Sequence, residues 1–224
     1  MKKINVFNLI MSILIFVGGT TYLVVDRLHL MEQSVYIKAV ASALFVACGI
    51  VNLIYVFKHK TQNKMFHVWL FVGLVFAFLG DVLLEIEFIV GAALFALGHV
   101  FFFVAYCFIA KLHWRDLLCA LAIFVPSLLI ILLVPIFKFD GIMKIVCVVY
   151  ALIISFMVGK ALSNFIKNKS SVNLIILIGS CLFFFSDMML LFANFGGIKL
   201  CSVFCLLTYY PAEFFLAYSI YKNK

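Results

Sequence analysis

Charge is the scarcest commodity in this 224-residue chain. Only 12% of its residues are Asp, Glu, Lys or Arg, and nine are acidic. Soluble domains carry about 25% charged residues, so a water-surrounded globule is excluded. Proline is nearly absent, with three in all, and there are only twelve glycines, which rules out disordered and collagen-like chains. No long polar stretch is present from which a separate soluble domain could form. No C-x-x-C pair occurs among the seven cysteines, all of which fall in apolar segments and read as small hydrophobes. Histidine is sparse too. Of five, only His99 sits deep in an apolar run, while His29, His59, His67 and His113 fall in loops or near span ends. A zinc site built on three histidines is therefore not expected, and neither a metal nor a cofactor is required.

What is present is hydrophobic residue in bulk, 67% of the chain. A membrane-crossing helix needs about 20 apolar residues. Polar punctuation divides the chain into eight such segments, near 4–25, 35–57, 65–86, 88–110, 116–137, 142–164, 172–193 and 199–221. The expected fold is all-α, a polytopic membrane bundle of eight transmembrane helices forming one domain over residues 1–224. The N-terminal "MKKINVFNLIMSILIF" looks like a signal peptide, but its apolar run is too long, so it reads as the first span. Pro126 falls inside the fifth span and is expected to kink it.

The formal charge of +8 need not imply nucleic acid. With a cytoplasmic N-terminus, twelve Lys and Arg residues fall on that side, including Lys58, Lys111, Arg115, Lys160 and Lys167. Five fall on the other: Arg27, Lys38, Lys138, Lys144 and Lys199. Positive charge collects on cytoplasmic loops, so both termini are expected in the cytoplasm of a multi-pass cell-membrane protein.

Two acids stand out. "FAFLGDVLL" places Asp81 in the third span and "CLFFFSDMMLL" places Asp187 in the seventh. A charge at a helix centre costs roughly 2.5–3.5 kcal/mol, so such residues usually face the bundle interior or a wet cavity. The two motifs lie four spans apart and run in the same direction, as a parallel duplication of a four-helix unit would give. Both acids lie about 15–16 residues into their spans, so they are expected at one level, sharing one pocket if their helices are neighbours. Glu85 follows Asp81 by one turn on the same face. His99 is in the antiparallel span that follows. "LTYYPAEFF" in span eight adds Tyr209, Tyr210 and Glu213, with Pro211 opening the local hydrogen-bond ladder. Ser180 shares a helix face with Asp187. The acids Asp26, Glu32, Asp116 and Asp140 are read as solvated loop or span-end groups, and Glu87 as a helix-end group reaching water.

These residues alone leave three readings open: a membrane enzyme, a proton-coupled transporter, and a non-catalytic lipid-binding protein. The segments "GDVLLEIEFIVGAALFALGHVFFFVAY", "GSCLFFFSDMMLLFANF" and "LTYYPAEFFLAY" resemble the YhhN/TMEM86 family of membrane proteins, whose characterised members are lysoplasmalogenases. The resemblance implies hydrolysis of the vinyl ether bond of a lysophospholipid substrate, yielding a fatty aldehyde and glycerophospho-ethanolamine or -choline. It also implies Asp81 and Asp187 as catalytic residues. Glu85, His99, Ser180, Tyr209, Tyr210 and Glu213 are the candidate pocket groups. Membrane lipids are the expected surroundings. Vinyl ethers break when a proton is delivered to carbon. Burial and a neighbouring like charge both favour a protonated carboxyl, so two aspartates at one level could divide into a donor and a carboxylate.

Overall fold

The structure, a computed structural model, describes residues 2–27, 34–59 and 63–222. The loop assignments of His29, Glu32 and Lys60, and the side chains of Lys2, Asp26 and Arg27, lie outside the described residues, as does Lys224. The elements are α1 (Lys2–Arg27), α2 (Ser34–Lys58), α3 (Lys64–Leu84), α4 (Phe88–Ile109), α5 (Trp114–Leu133), α6 (Met143–Lys167), α7 (Ser171–Asn194) and α8 (Lys199–Lys222). All eight are long and apolar enough to cross a bilayer, and no strand occurs among the described residues. In hydrocarbon every backbone polar group must be satisfied within its own segment, which is why such a chain is helical throughout.

Two helices end earlier than their apolar runs. α3 stops at Leu84 because Glu85–Glu87 fold back, with the Ile86 and Glu87 amides both donating to the Leu83 carbonyl (3.0 and 2.8 Å). Glu87 is exposed, as expected, and caps α4 by accepting from the Val90 amide at 2.7 Å. α5 stops at Leu133 because Pro135 follows, and the residue before a proline is pushed out of the helical region. Val134 accordingly adopts an extended conformation, ψ 116°. α5 and α8 continue as helices through Pro126 and Pro211.

Lipid is as apolar as leucine, so helices in a bilayer associate through close packing and polar contacts. Both devices are present. A Cβ on Gly159 would come within 2.5 Å of the Ala120 backbone nitrogen, so only glycine lets α6 approach α5 this closely. Asn8 of α1 and Asn52 of α2 exchange side-chain hydrogen bonds (3.0 and 2.8 Å), and Asn52 also donates to the Ala217 carbonyl of α8 at 3.0 Å. Asn164 of α6 donates to the Tyr106 carbonyl of α4 at 2.9 Å.

Asp116 corrects the sequence reading. It is buried rather than solvated, because Lys160 reaches it from α6 with Nζ 2.7 Å from Oδ2. Its carboxylate also accepts from the His113 backbone amide at 2.9 Å, closing the cap of α5. Asp140 is exposed, as expected.

The packing has an internal repeat. The pairs α1–α2, α2–α3 and α3–α4 correspond to α5–α6, α6–α7 and α7–α8 under a shift of four helices, and α4–α6 corresponds to α8–α2. The α1–α8 contact has no such counterpart among the described residues, whereas α3–α8 corresponds to α7–α4, which meet through side chains such as Asp187 and His99. α8 thereby lies against α1, α2, α3 and α7, which places it between the two acid-bearing helices.

Candidate active site

Asp81 lies in the last turn of α3, buried, and is gripped from α2. Lys38 places its ammonium 3.3 Å from Oδ1, and Ser42, one helical turn further along α2, donates its hydroxyl to Oδ2. Tyr209 of α8 lines the same space. The Lys38 ammonium also contacts Glu85 at 2.7 Å, and Glu85 accepts in addition from the Tyr22 hydroxyl of α1 at 3.1 Å. Burial pushes the Glu85 carboxyl up. The Lys38 charge, with hydrogen bonds from Lys38 and Tyr22, outweighs that and holds it below its ordinary value. One lysine thus serves two carboxylates, and four helices meet around it. Lys38, counted from the sequence among the charges of the sparser side, is instead buried at 4% exposure.

Asp187 occupies a differently furnished niche. The Tyr150 hydroxyl of α6 donates to its Oδ2 at 2.7 Å, and His99 Nε2 of α4 lies 3.1 Å from the same oxygen. His99 Nε2 is also 2.9 Å from the Tyr150 hydroxyl, so the three groups form a compact cluster. The His99 ring is fully buried, with Phe183 packed against it edge-to-face (centroids 4.6 Å apart). Both contacts are made to Oδ2, and no hydrogen bond to Oδ1 occurs among the described residues.

Two spaces meet at Asp187. The first is a cavity of about 330 Å³ whose polar lining includes Lys38, Asp81, Glu85, Ser186, Asp187 and Tyr209. The second is an apolar cleft of about 70 Å³ bounded by residues such as Ile131, Ile154, Phe184 and Leu191. Asp187 belongs to both walls, with Leu84, Phe88, Phe95 and Leu190. A molecule with a polar end and an apolar tail could place each in its own space, with the junction beside a carboxyl group.

The helices carrying the two acids do not pack directly against each other among the described residues. The requirement that they be neighbours is corrected: the acids share a cavity because α8 and its Tyr209 complete the wall between them. Nor does mutual repulsion of two bare carboxylates organise the site, since each acid has its own donors. Of the candidate pocket groups, Glu85 and Tyr209 line the cavity, and His99 stands behind Asp187. Ser180 is elsewhere, its hydroxyl 2.9 Å from that of Tyr106. Tyr210 packs over Gly19 of α1, where a Cβ would come within 2.2 Å of its ring. Glu213 is fully buried in α8 outside the cavity lining, and neither of its oxygens has a hydrogen-bond partner among the described residues.

Sequence reasoning did not find Lys38, Ser42, Tyr22 or Tyr150. For Lys38 a signal existed: it is preceded by an apolar residue and followed by the long run "AVASALFVACGIV" inside α2. Ser42 then follows at i+4, which puts both on one helix face. Tyr150 carries no comparable mark, since tyrosines are common in this chain.

The sequence profile of the YhhN family matches residues 33–220, from the segment before α2 to the last turns of α8. Comparison with curated proteins and with solved structures returned no match. The profile match includes both acids, their donors on α2, α4 and α6, and most of the bundle, and by that match the chain belongs to the YhhN family.

Proposed function

We propose that this protein is a hydrolase of the cell membrane that cleaves the vinyl ether bond of lysoplasmalogens. The observation that carries the reading is the position of Asp187, at the junction of the polar cavity and the apolar cleft, with Asp81 on the same cavity wall. A lysoplasmalogen has a polar headgroup and one alkenyl chain, and its scissile bond lies where the two meet. With both termini in the cytoplasm, the acids lie in the outer half of the bilayer, near the level of that bond.

The different surroundings of the acids support different roles for them. Lys38 sets positive charge beside Asp81, which suits Asp81 to act as a carboxylate. Asp187 is held through one oxygen by Tyr150 and His99, leaving the other to carry a proton. Asp187 delivers that proton to the β-carbon of the alkenyl group. The π pair forms the new C–H bond, and an oxocarbenium ion remains at the ether carbon. The Asp81 carboxylate stabilises this cation and accepts a proton from the water that adds to it. The resulting hemiacetal collapses as its C–O bond breaks. The hydroxyl proton passes to the Asp187 carboxylate, the departing glycerol oxygen takes the proton from Asp81, and aldehyde and glycerophospho-alcohol separate with both carboxyls back in their starting states. Retaining and inverting glycosidases divide labour between two carboxyls around a similar cation.

The test is aldehyde release from defined alkenyl lysophospholipids by the purified protein. Asp187→Asn and Asp81→Asn should each slow it by roughly 10²–10⁴-fold while leaving the protein folded. Wild-type rates in both variants overturn the proposal.

A further inference from the structure

A second cavity of similar size lies at the opposite end of the bundle. It has a volume of about 320 Å³ and sits among the C-terminal ends of α4 and α6 and the N-terminal end of α5. α4 lines the first cavity as far as Phe95 and reaches the second at Ala110, about 22 Å further along the helix axis. Nothing in the proposed hydrolysis uses it.

Its chemistry is one-sided. Lys111, Arg115, Lys160 and Lys167 line it, and Asp116 is its one acid. Asp116 is already committed, to Lys160 at 2.7 Å and to the His113 amide at 2.9 Å. Lys111, Arg115 and Lys167 have no carboxylate partner among the described residues, so three cations face the space uncompensated. Lys160 is itself 1% exposed. Its ammonium donates to Asp116 and, at 3.1 Å, to the Lys111 carbonyl, leaving one of its three protons without a partner among the described residues.

The rim is apolar. Leu118 and Ile166, which line the cavity, are 53% and 55% exposed, and Leu112 and Trp114 next to it are 65% and 62% exposed. Trp at this position sits where bilayer and water meet. Arg115 lies over its ring, 5.7 Å from the centroid. A free anion would need only the cations. An anion attached to acyl chains would use both the cations and the exposed leucine and isoleucine side chains.

We infer that this cavity binds a phosphate group, presented by an anionic phospholipid of the adjoining leaflet. Basic pockets between transmembrane helices hold lipid headgroups in this way, each cation near the surface strengthening binding by about five-fold. The site is separate from the acid pair and does not depend on what reaction, if any, the acids perform.

Native mass spectrometry of the purified full-length protein, titrated with phosphatidylglycerol and with the matching phosphate-free diacylglycerol, tests the inference. The wild type should retain phosphatidylglycerol and not diacylglycerol. The triple variant Lys111→Gln/Arg115→Gln/Lys167→Gln should bind it about 100-fold more weakly. These side chains are exposed, so their loss leaves the bundle intact, which thermal unfolding checks. Lys138→Gln/Lys144→Gln, at the other end, should bind as the wild type does. Inorganic phosphate distinguishes the sources: weak competition supports a lipid-borne phosphate, and competition at equal concentration supports a free phosphate ligand in the same site. Equal affinity of wild type and triple variant for phosphatidylglycerol, or equal retention of the phosphate-free lipid, overturns the inference.

Discussion

Replacing Lys38 by methionine keeps the length of the side chain and removes its charge. The consequence can be worked from the geometry. At 3.3 Å and an effective dielectric of about 20, the Lys38–Asp81 attraction is on the order of 5 kcal/mol, partly offset by the desolvation of both groups. What matters after substitution is the carboxylate left behind. Asp81 has 4% side-chain exposure and keeps Ser42 as its close donor among the described residues, so the cavity it lines compensates only part of its charge. Breaking a buried pair from one side costs about 3–5 kcal/mol. Glu85 loses the same partner, but it is 35% exposed and rehydrates, so it adds little. At roughly 2–4 °C per kcal/mol for a chain of this size, Lys38→Met should lower the unfolding midpoint in detergent by about 6–20 °C. Adding Asp81→Asn removes the stranded charge and should recover at least half of that loss. The assay reads stability alone, so it is independent of the catalytic proposal. A Lys38→Met midpoint within 2 °C of wild type, or a double variant less stable than the single, refutes the reasoning.

Tyr150→Phe keeps the ring and deletes the donor 2.7 Å from Asp187, a bond worth about 1.5–3 kcal/mol; if it acts in the transition state, aldehyde release should fall about 10–150-fold with KM unchanged. An unaltered rate would remove Tyr150 from the reaction. Gly159→Val forces a side chain onto the Ala120 backbone at 2.5 Å and should destabilise the bundle by about 1–3 kcal/mol in a denaturant titration, whereas a neutral result would mean that α5 and α6 stand further apart. Glu85 gives a pH dependence of defined sign. Its folded-state carboxyl lies below the ordinary value of 4.5, so its contribution is present above that value and is lost as pH falls through the folded one. The wild-type unfolding midpoint should therefore drop more steeply on acidification than that of Glu85→Gln; parallel curves would show that Lys38 and Tyr22 do not hold the carboxylate.

The helices were legible because the bilayer imposes a length and forbids interruption, and a run of apolar residues satisfies both conditions visibly. Asp81 and Asp187 were legible because a carboxylate inside such a run has no bland surroundings to merge into. Lysine is harder to read. Near a span end it looks like a topological charge, yet the four-carbon stem lets Lys38 and Lys160 turn inward and pair with Asp81 and Asp116. The identity of the partner comes from which helices touch, and that is settled by packing across the bundle. The same holds for Tyr150 and Ser42, ordinary residues until α6 is placed beside α7 and α2 beside α3. Ser180 shows the converse: it shares the helix face of Asp187, but that face meets Tyr106 two turns away from the cavity.

The repeat in the packing gives this arrangement a common plan. Asp81 of α3 is served by α2, through Lys38 and Ser42, with α8 placing Tyr209 on the cavity wall beside it. Asp187 of α7 is served by α6, through Tyr150, with α4 supplying His99. A shift of four helices carries α2, α3 and α8 onto α6, α7 and α4, so each acid sits among corresponding helices. The furnishings then differ. One niche holds an ammonium and a hydroxyl, the other a hydroxyl and an imidazole. Two copies of one niche would place two equivalent carboxyls on the cavity and offer no means of telling acid from base. On the proposed reading, different donors on corresponding helices separate the two roles without moving either carboxyl. α8, packed against both α3 and α7, turns the two niches toward a single cavity that both carboxyls line.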